Sequence, residues 1–237
     1  MVNPFTPSSG LSRAQGVTFD EGLRAHMVRV FGTMSGGLAV TGLVALLVAY
    51  TPIGAAIFGN KILGYAAMFS PLLFMFFMNF KLMSAPAATA KTMFWVFCSL
   101  MGLSMSTIFM VFTTQSIAGV FFITAATFSA MALWGYTTKK DLTSMGAFLM
   151  MGVMGIFIAS LVNLFMGSGM MQWVISVAGV GIFTGLTAYD TQNIKRMYSE
   201  NWGQEANSKL AVIGALSLYM NFINAFQFLL SLMGDRR

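Results

Sequence analysis

From Asp141 to Asp190 the chain reads DLTSMGAFLMMGVMGIFIASLVNLFMGSGMMQWVISVAGVGIFTGLTAYD, and about 48 residues pass between the two acids without a Lys, Arg, Asp or Glu. A helix crossing the hydrocarbon core of a bilayer needs about 20 apolar residues, so this stretch is two crossings, and Gly167-Ser168-Gly169 is the break between them. The other charge-free intervals convert in the same way. About 31 residues between Arg29 and Lys61 hold one span, near residues 30–50, and a turn carrying Thr51-Pro52. About 19 residues between Lys61 and Lys81 hold a second. About 47 between Lys91 and Lys139 hold two more, divided at Thr113-Thr114-Gln115-Ser116, and about 25 between Lys209 and Asp235 hold the last. The total is seven.

Composition agrees with this. Of 237 residues, 57% are hydrophobic and 8% charged, with a mean hydropathy of +0.76. A soluble domain carries roughly a quarter of its residues charged, so a soluble enzyme, a disordered chain and a nucleic-acid-binding domain are excluded. The formal charge of +6 then reports topology and not nucleic acid, because basic residues of membrane proteins collect on the cytoplasmic side. Backbone groups must be satisfied inside lipid, and the runs do not alternate as barrel strands do, so the spans are helices. The expected fold is an all-α polytopic bundle of seven transmembrane helices, a single domain over residues 23–237 after a polar cytoplasmic tail over residues 1–22. Ten of the thirteen Lys and Arg fall on the N-terminal side. This predicts a cytoplasmic N-terminus and an outside C-terminus, although a re-entrant last segment would return the C-terminus inside.

Several chemistries are absent. Cys98 is the only cysteine, so no thiolate cluster can form. The 22 methionines are scattered without His or Cys at hand, which reads as adaptable packing and not as a copper site. No phosphate loop, nucleophile elbow or paired catalytic carboxylate is present, so no enzyme activity, cofactor or resident metal is expected. His26, the sole histidine, reads as a surface residue. The last span has no lysine at its middle, which sets aside a retinal protein. Small residues at helical spacing, Gly32 and Gly36, then Cys98, Gly102 and Ser106, then Gly152, Gly155 and Ala159, then Gly181 and Gly185, are expected to bring helices together.

Polar groups inside the spans carry the functional signal. Asp190 lies somewhat more than one turn before Lys195-Arg196. An acid at that depth faces the bundle interior or a wet cavity, unless it only anchors a helix end at the interface. In the last span Gly214, Ser217, Asn221 and Asn224 fall at i, i+3, i+4 spacing, with Phe228 continuing the stripe. A polar stripe on a spanning helix turns inward, which makes the seventh helix central. Asn79, Lys81 and Asn163 are candidates to extend this network, each equally readable as a helix end.

Three segments carry a resemblance. Thr137-Thr138-Lys139-Lys140-Asp141-Leu142, Ala188-Tyr189-Asp190-Thr191-Gln192-Asn193-Ile194-Lys195 and Ala215-Leu216-Ser217-Leu218-Tyr219-Met220-Asn221-Phe222-Ile223-Asn224, in this order, resemble the Bax-inhibitor family over nearly the whole chain after the tail. The resemblance implies a seven-helix bundle with the last helix at its centre. It also implies a pH-sensitive calcium leak, closed by two aspartates that share a proton. Bacterial relatives are further described as modulators of a membrane-bound AAA protease, and eukaryotic ones as suppressors of cell death. Asp190 matches the first aspartate. The second is Asn221 here, where the family pattern has an acid, and a basic residue that some relatives place at the end of the second span corresponds to Asn79, with Lys81 as a substitute. The implied pH sensor and gate are therefore Asp190 and Asn221, supported by Asn79, Lys81, Ser217 and Asn224. Two close carboxylates titrate as a coupled pair, whereas Asp with Asn titrates singly, so the pH response is expected to be weaker or displaced. Calcium gains from ligand charge, so only a weak contact is expected at Asp190. The expected surroundings are a lipid bilayer, in a bacterial inner membrane, with calcium as the permeant ion and a membrane protease as a partner.

Overall fold

The computed structural model describes residues 9–82 and 84–237, with side chains from residue 21 onward. Residues 1–8 of the expected tail lie outside the described residues, and from Ser9 the chain is already helical. The elements are α1 (Ser9–Tyr50), α2 (Pro52–Phe58), α3 (Lys61–Leu82), α4 (Ala87–Met105), α5 (Ile108–Val111), α6 (Thr114–Thr137), α7 (Thr143–Met166), α8 (Gly169–Met197) and α9 (Gly203–Met233). Seven helices are long and apolar enough to span a membrane, with α4 and α5 forming one span and the short α2 lying between the first two.

The breaks between spans have local causes. Thr113 caps α6, its hydroxyl accepting from Ser116 N at 3.3 Å. Gly167 ends α7 in the left-handed region, φ 61°, and its N–H donates to Asn163 O at 2.8 Å. One residue later the hydroxyl of Ser168 accepts from Met171 N and starts α8. The Gly-Ser-Gly break thus stops one helix and caps the next.

The α9 helix is the core. Its most apolar stretch is 61% buried, against 11–39% for the other six spans. It packs on α1, α4, α6 and α8, while α3 leans on α4 and α7 on α8. Its C-terminal end is tied to the α5–α6 connection: Thr113 N donates to Asp235 O at 3.0 Å and Arg237 N to Val111 O at 2.9 Å. The end of α8 and the start of α9 lie at the opposite end of the bundle, so α9 runs the length of the bundle.

Close approaches use only some of the expected small residues. A Cβ on Gly102 would meet Thr41 O at 2.6 Å, one on Gly36 the Trp95 ring at 2.8 Å, and one on Gly185 the Leu149 side chain at 2.8 Å. Gly32, Gly155 and Gly181 face open space instead. One tight backbone contact between spans is one the spacing did not suggest: a Cβ on Gly135 would collide with the carbonyl of Ala188, pinning α6 on α8. His26 is corrected as well. It is buried at 4% exposure, tilted against the Tyr198 ring with centroids 5.3 Å apart.

Candidate functional site

Asp190 meets the central helix inside the bundle. Its Oδ2 accepts from Ser217 Oγ at 2.6 Å and from Asn221 Nδ2 at 2.7 Å. Both donors sit one turn apart on α9, so a single face of that helix presents them together. The residue is half-buried, and two donors converging on one oxygen is the pattern a carboxylate uses as a pure acceptor. Among the described residues no donor reaches Oδ1. Asp190 is therefore an acid held from one side with its second oxygen open.

The motif around it is saturated with contacts. Tyr189 fills the space above Gly146, and Ile194 fills that above Gly214. Thr187 and Thr191 are buried and donate back to Phe183 O and Thr187 O. Gln192 reaches the α6–α7 loop, where its Oε1 accepts from Leu142 N at 2.9 Å and its Nε2 donates to Lys140 O at 2.8 Å. Lys195 donates to Tyr136 O at 3.0 Å and lies 4.8 Å over that ring. Arg196 donates to Asp141 Oδ1 at 2.8 Å. Asp141 also accepts from the Thr143 hydroxyl and N–H, and these bonds with Arg196 hold its carboxyl down to about 2. The three segments quoted from the sequence are thus one assembly: α8 carries the acid, the α6–α7 loop is tied to the following turn, and α9 supplies the donors.

Other candidates lie elsewhere. Asn79 is exposed on α3, and Lys81 lies 5.4 Å over the Phe77 ring of its own helix; α3 packs on α4 and α2, so neither residue joins Asp190. Asn224 donates to Met220 O on its own helix. Phe228 stacks on Phe183 and covers Gly179. Asn163 belongs to a separate network near the α7–α8 turn, donating to Gln172 Oε1 at 3.3 Å, while Gln172 bonds Ser176 and Ser231. The reason is length: Asn163 and Asp190 are at opposite ends of a helical hairpin that spans the bundle.

The structure adds a second tie on the central helix. Thr41 Oγ1 lies 3.0 Å from Gly37 O and 2.9 Å from Cys98 O, both acceptors only. Its one proton is committed to them, so the Tyr219 hydroxyl donates to Thr41 Oγ1 at 2.7 Å. Tyr219 is fully buried between Phe94 and Phe97. This bond joins α1, α4 and α9; its trace in the sequence is a threonine in the apolar first span, which spacing alone does not distinguish from Thr33. Among the described residues no group of three or more His, Cys, Asp or Glu could hold a metal.

Fold and site together define a polytopic helical membrane protein in which a central last helix bonds an acid of the preceding helix. The chain belongs to the Bax-inhibitor family: the family model described as "Inhibitor of apoptosis-promoting Bax1" matches residues 23–237. It is 43% identical to an uncharacterized protein of Rickettsia prowazekii over 223 residues, 93% of each chain. An uncharacterized protein of Caulobacter vibrioides is 41% identical over 231 residues, 93% of this chain and 92% of the relative. The inner membrane protein YbhL of Escherichia coli K12 is 37% identical over 219 residues, 91% of this chain and 94% of that one.

Proposed function

We propose that this protein is a cation leak pathway, with calcium as the permeant ion, controlled where Asp190 is held by Ser217 and Asn221. The observation that carries this reading is the bonding of that carboxylate: both donors engage Oδ2, and among the described residues Oδ1 has no partner. A resident calcium site needs six to eight oxygens, so one carboxylate among neutral groups suits an ion in transit. With α9 bonded to α8 at Asp190 the pathway is closed, and loosening these bonds frees the two helices to part. Because Asn221 is not an acid, control rests on one titrating group and the pH response is a single-site one. The inner membrane is the proposed location, in line with the name of the Escherichia coli relative, an inner membrane protein. The N-terminus and the Asp190 end face the cytoplasm, and the C-terminus lies outside, following the distribution of Lys and Arg.

The test is calcium flux into proteoliposomes across pH for wild type, Asp190→Asn and Asn221→Asp. Asp190→Asn should change the flux while leaving helicity intact, and Asn221→Asp should steepen the pH response toward a two-site profile. Wild-type flux equal to that of empty liposomes would refute the leak reading. Co-purification of a membrane-bound AAA protease in that case would favour a non-transporting modulator.

A further inference from the structure

A large cavity lies away from Asp190. It is an apolar groove of about 1300 Å³ between α1 and α6. The groove exists because α1 and α6 both pack on α9 and leave a gap between them. Small residues keep both walls low: Gly32, Ser35, Ala39 and Gly42 on α1 face Ala125 and Ser129 on α6. A Cβ at Gly32 or Gly42 would meet nothing within 4 Å. The floor is Phe222 of the central helix, next in sequence to Asn221 and flanked by the rings of Phe121 and Phe128 at 5.4 and 5.6 Å.

What fills the groove is indicated by its length and its charged end. From Arg24 to Leu46, both lining residues, α1 rises about 33 Å, the thickness of a hydrocarbon core. One end is lined by Arg24 on the α1 side and Tyr136 on the α6 side, and Lys139 and Lys140 follow Tyr136 by three and four residues; all three cations are exposed. Among the described residues the one salt bridge is Arg196–Asp141, so none of these three cations has a carboxylate partner. The rest of the lining is overwhelmingly apolar. An acyl chain suits the slot, and an anionic headgroup suits the unpaired cations at its mouth; a neutral lipid would leave those cations unmatched.

We propose that the groove between α1 and α6 is a binding site for an anionic phospholipid, its headgroup at Arg24, Lys139 and Lys140 and an acyl chain lying on Phe222. The lipid completes the wall around the central helix beside Asn221, and this holds whether or not the protein conducts calcium.

The test is native mass spectrometry of the full-length protein, released from detergent with phosphatidylglycerol or with phosphatidylcholine of the same acyl chains. Wild type should retain phosphatidylglycerol preferentially. Arg24→Gln should lower that preference about fivefold, the worth of one basic side chain at an anionic surface. Gly32→Leu and Gly42→Leu fill the slot without touching the cations, and should reduce retention of both lipids at unchanged helicity. Equal retention of the two lipids by wild type, a preference untouched by Arg24→Gln, or retention untouched by both leucine variants would overturn the proposal. So would a wild-type dimer that the leucine variants dissociate without altering lipid retention, because a second copy would then occupy the groove. Should Arg24→Gln fail to fold, Lys139→Gln with Lys140→Gln tests the same charge at exposed loop positions.

Discussion

The bond between Asn221 and Asp190 can be measured by itself with a double-mutant cycle of Asn221→Leu and Asp190→Leu, substitutions close in volume that remove the amide and the carboxylate. At 2.7 Å, with a second donor at 2.6 Å on the same oxygen, the geometry is that of a charge-assisted bond, and such bonds contribute about 1.5–3 kcal/mol. Neutral interhelical bonds in membranes average about 0.6 kcal/mol. Asn221→Leu alone leaves Ser217 on the carboxylate, so its single cost falls toward the lower end of the charged range. With Asp190→Leu already present, the same change should cost about 1.5 kcal/mol less or better, and that difference is the coupling. The assay is equilibrium unfolding of the detergent-solubilised protein by increasing mole fraction of sodium dodecyl sulfate, followed by circular dichroism. A coupling at or below about 0.6 kcal/mol would refute the claim that Asp190 is held as a carboxylate by the central helix. The Ser217→Ala, Asn221→Leu pair extends the test: removing both donors strands the acid, so the double variant should lose more than the sum of the singles.

Three further outcomes follow from the packing. Gly135→Leu should prevent assembly of α6 on α8, since its side chain would meet the Ala188 backbone, while Gly155→Leu, facing open space, should leave the unfolding midpoint within about 0.5 kcal/mol of wild type. Gln192→Ala removes both partners from Leu142 N and Lys140 O, costing about 1–3 kcal/mol. Amide exchange should then quicken over residues 138–142 before anywhere else. Asp141 has a folded pKa depressed to about 2 by Thr143 and Arg196, so its contribution is fully present above the ordinary carboxyl range near 4 and lost as pH falls through about 2. The Asp141 carboxyl signal in NMR should titrate with that midpoint, and Arg196→Gln should shift it upward.

The fold was legible because lipid leaves few alternatives. Where charges are absent for about 20 residues the chain must cross as a helix, so charge positions alone delimit seven spans, and Gly167-Ser168-Gly169 and Thr113 carry their own stop and cap chemistry. The central position of α9 was legible too, because an inward face must hold Ser217 and Asn221 away from lipid. The partnership of Asp190 with these two residues came from spacing on α9 together with family resemblance.

Tertiary structure decided what spacing cannot. Helical periodicity assigns a residue to a face but does not say which neighbour the face meets. Gly36 and Gly32 share a face, yet one touches Trp95 and the other opens onto the groove. Asn79, Lys81 and Asn163 carry the same polar signal as Asn221, but α3 lies on the far side of α4, and Asn163 belongs to the opposite end of the bundle. His26 reads as a surface residue from its charged neighbours and is buried because the α8–α9 turn folds Tyr198 over it. The clamp of Gln192 on residues 140 and 142 and the bond of Tyr219 to Thr41 join residues 52 and 178 positions apart, or nearly so. The sequence determined how many times the chain crosses and which acid lies within the bundle, because desolvation acts on each residue alone. Which helices touch, and which gap is left for lipid, depends on the fit of side chains from several spans at once, and that fit exists only in the assembled bundle.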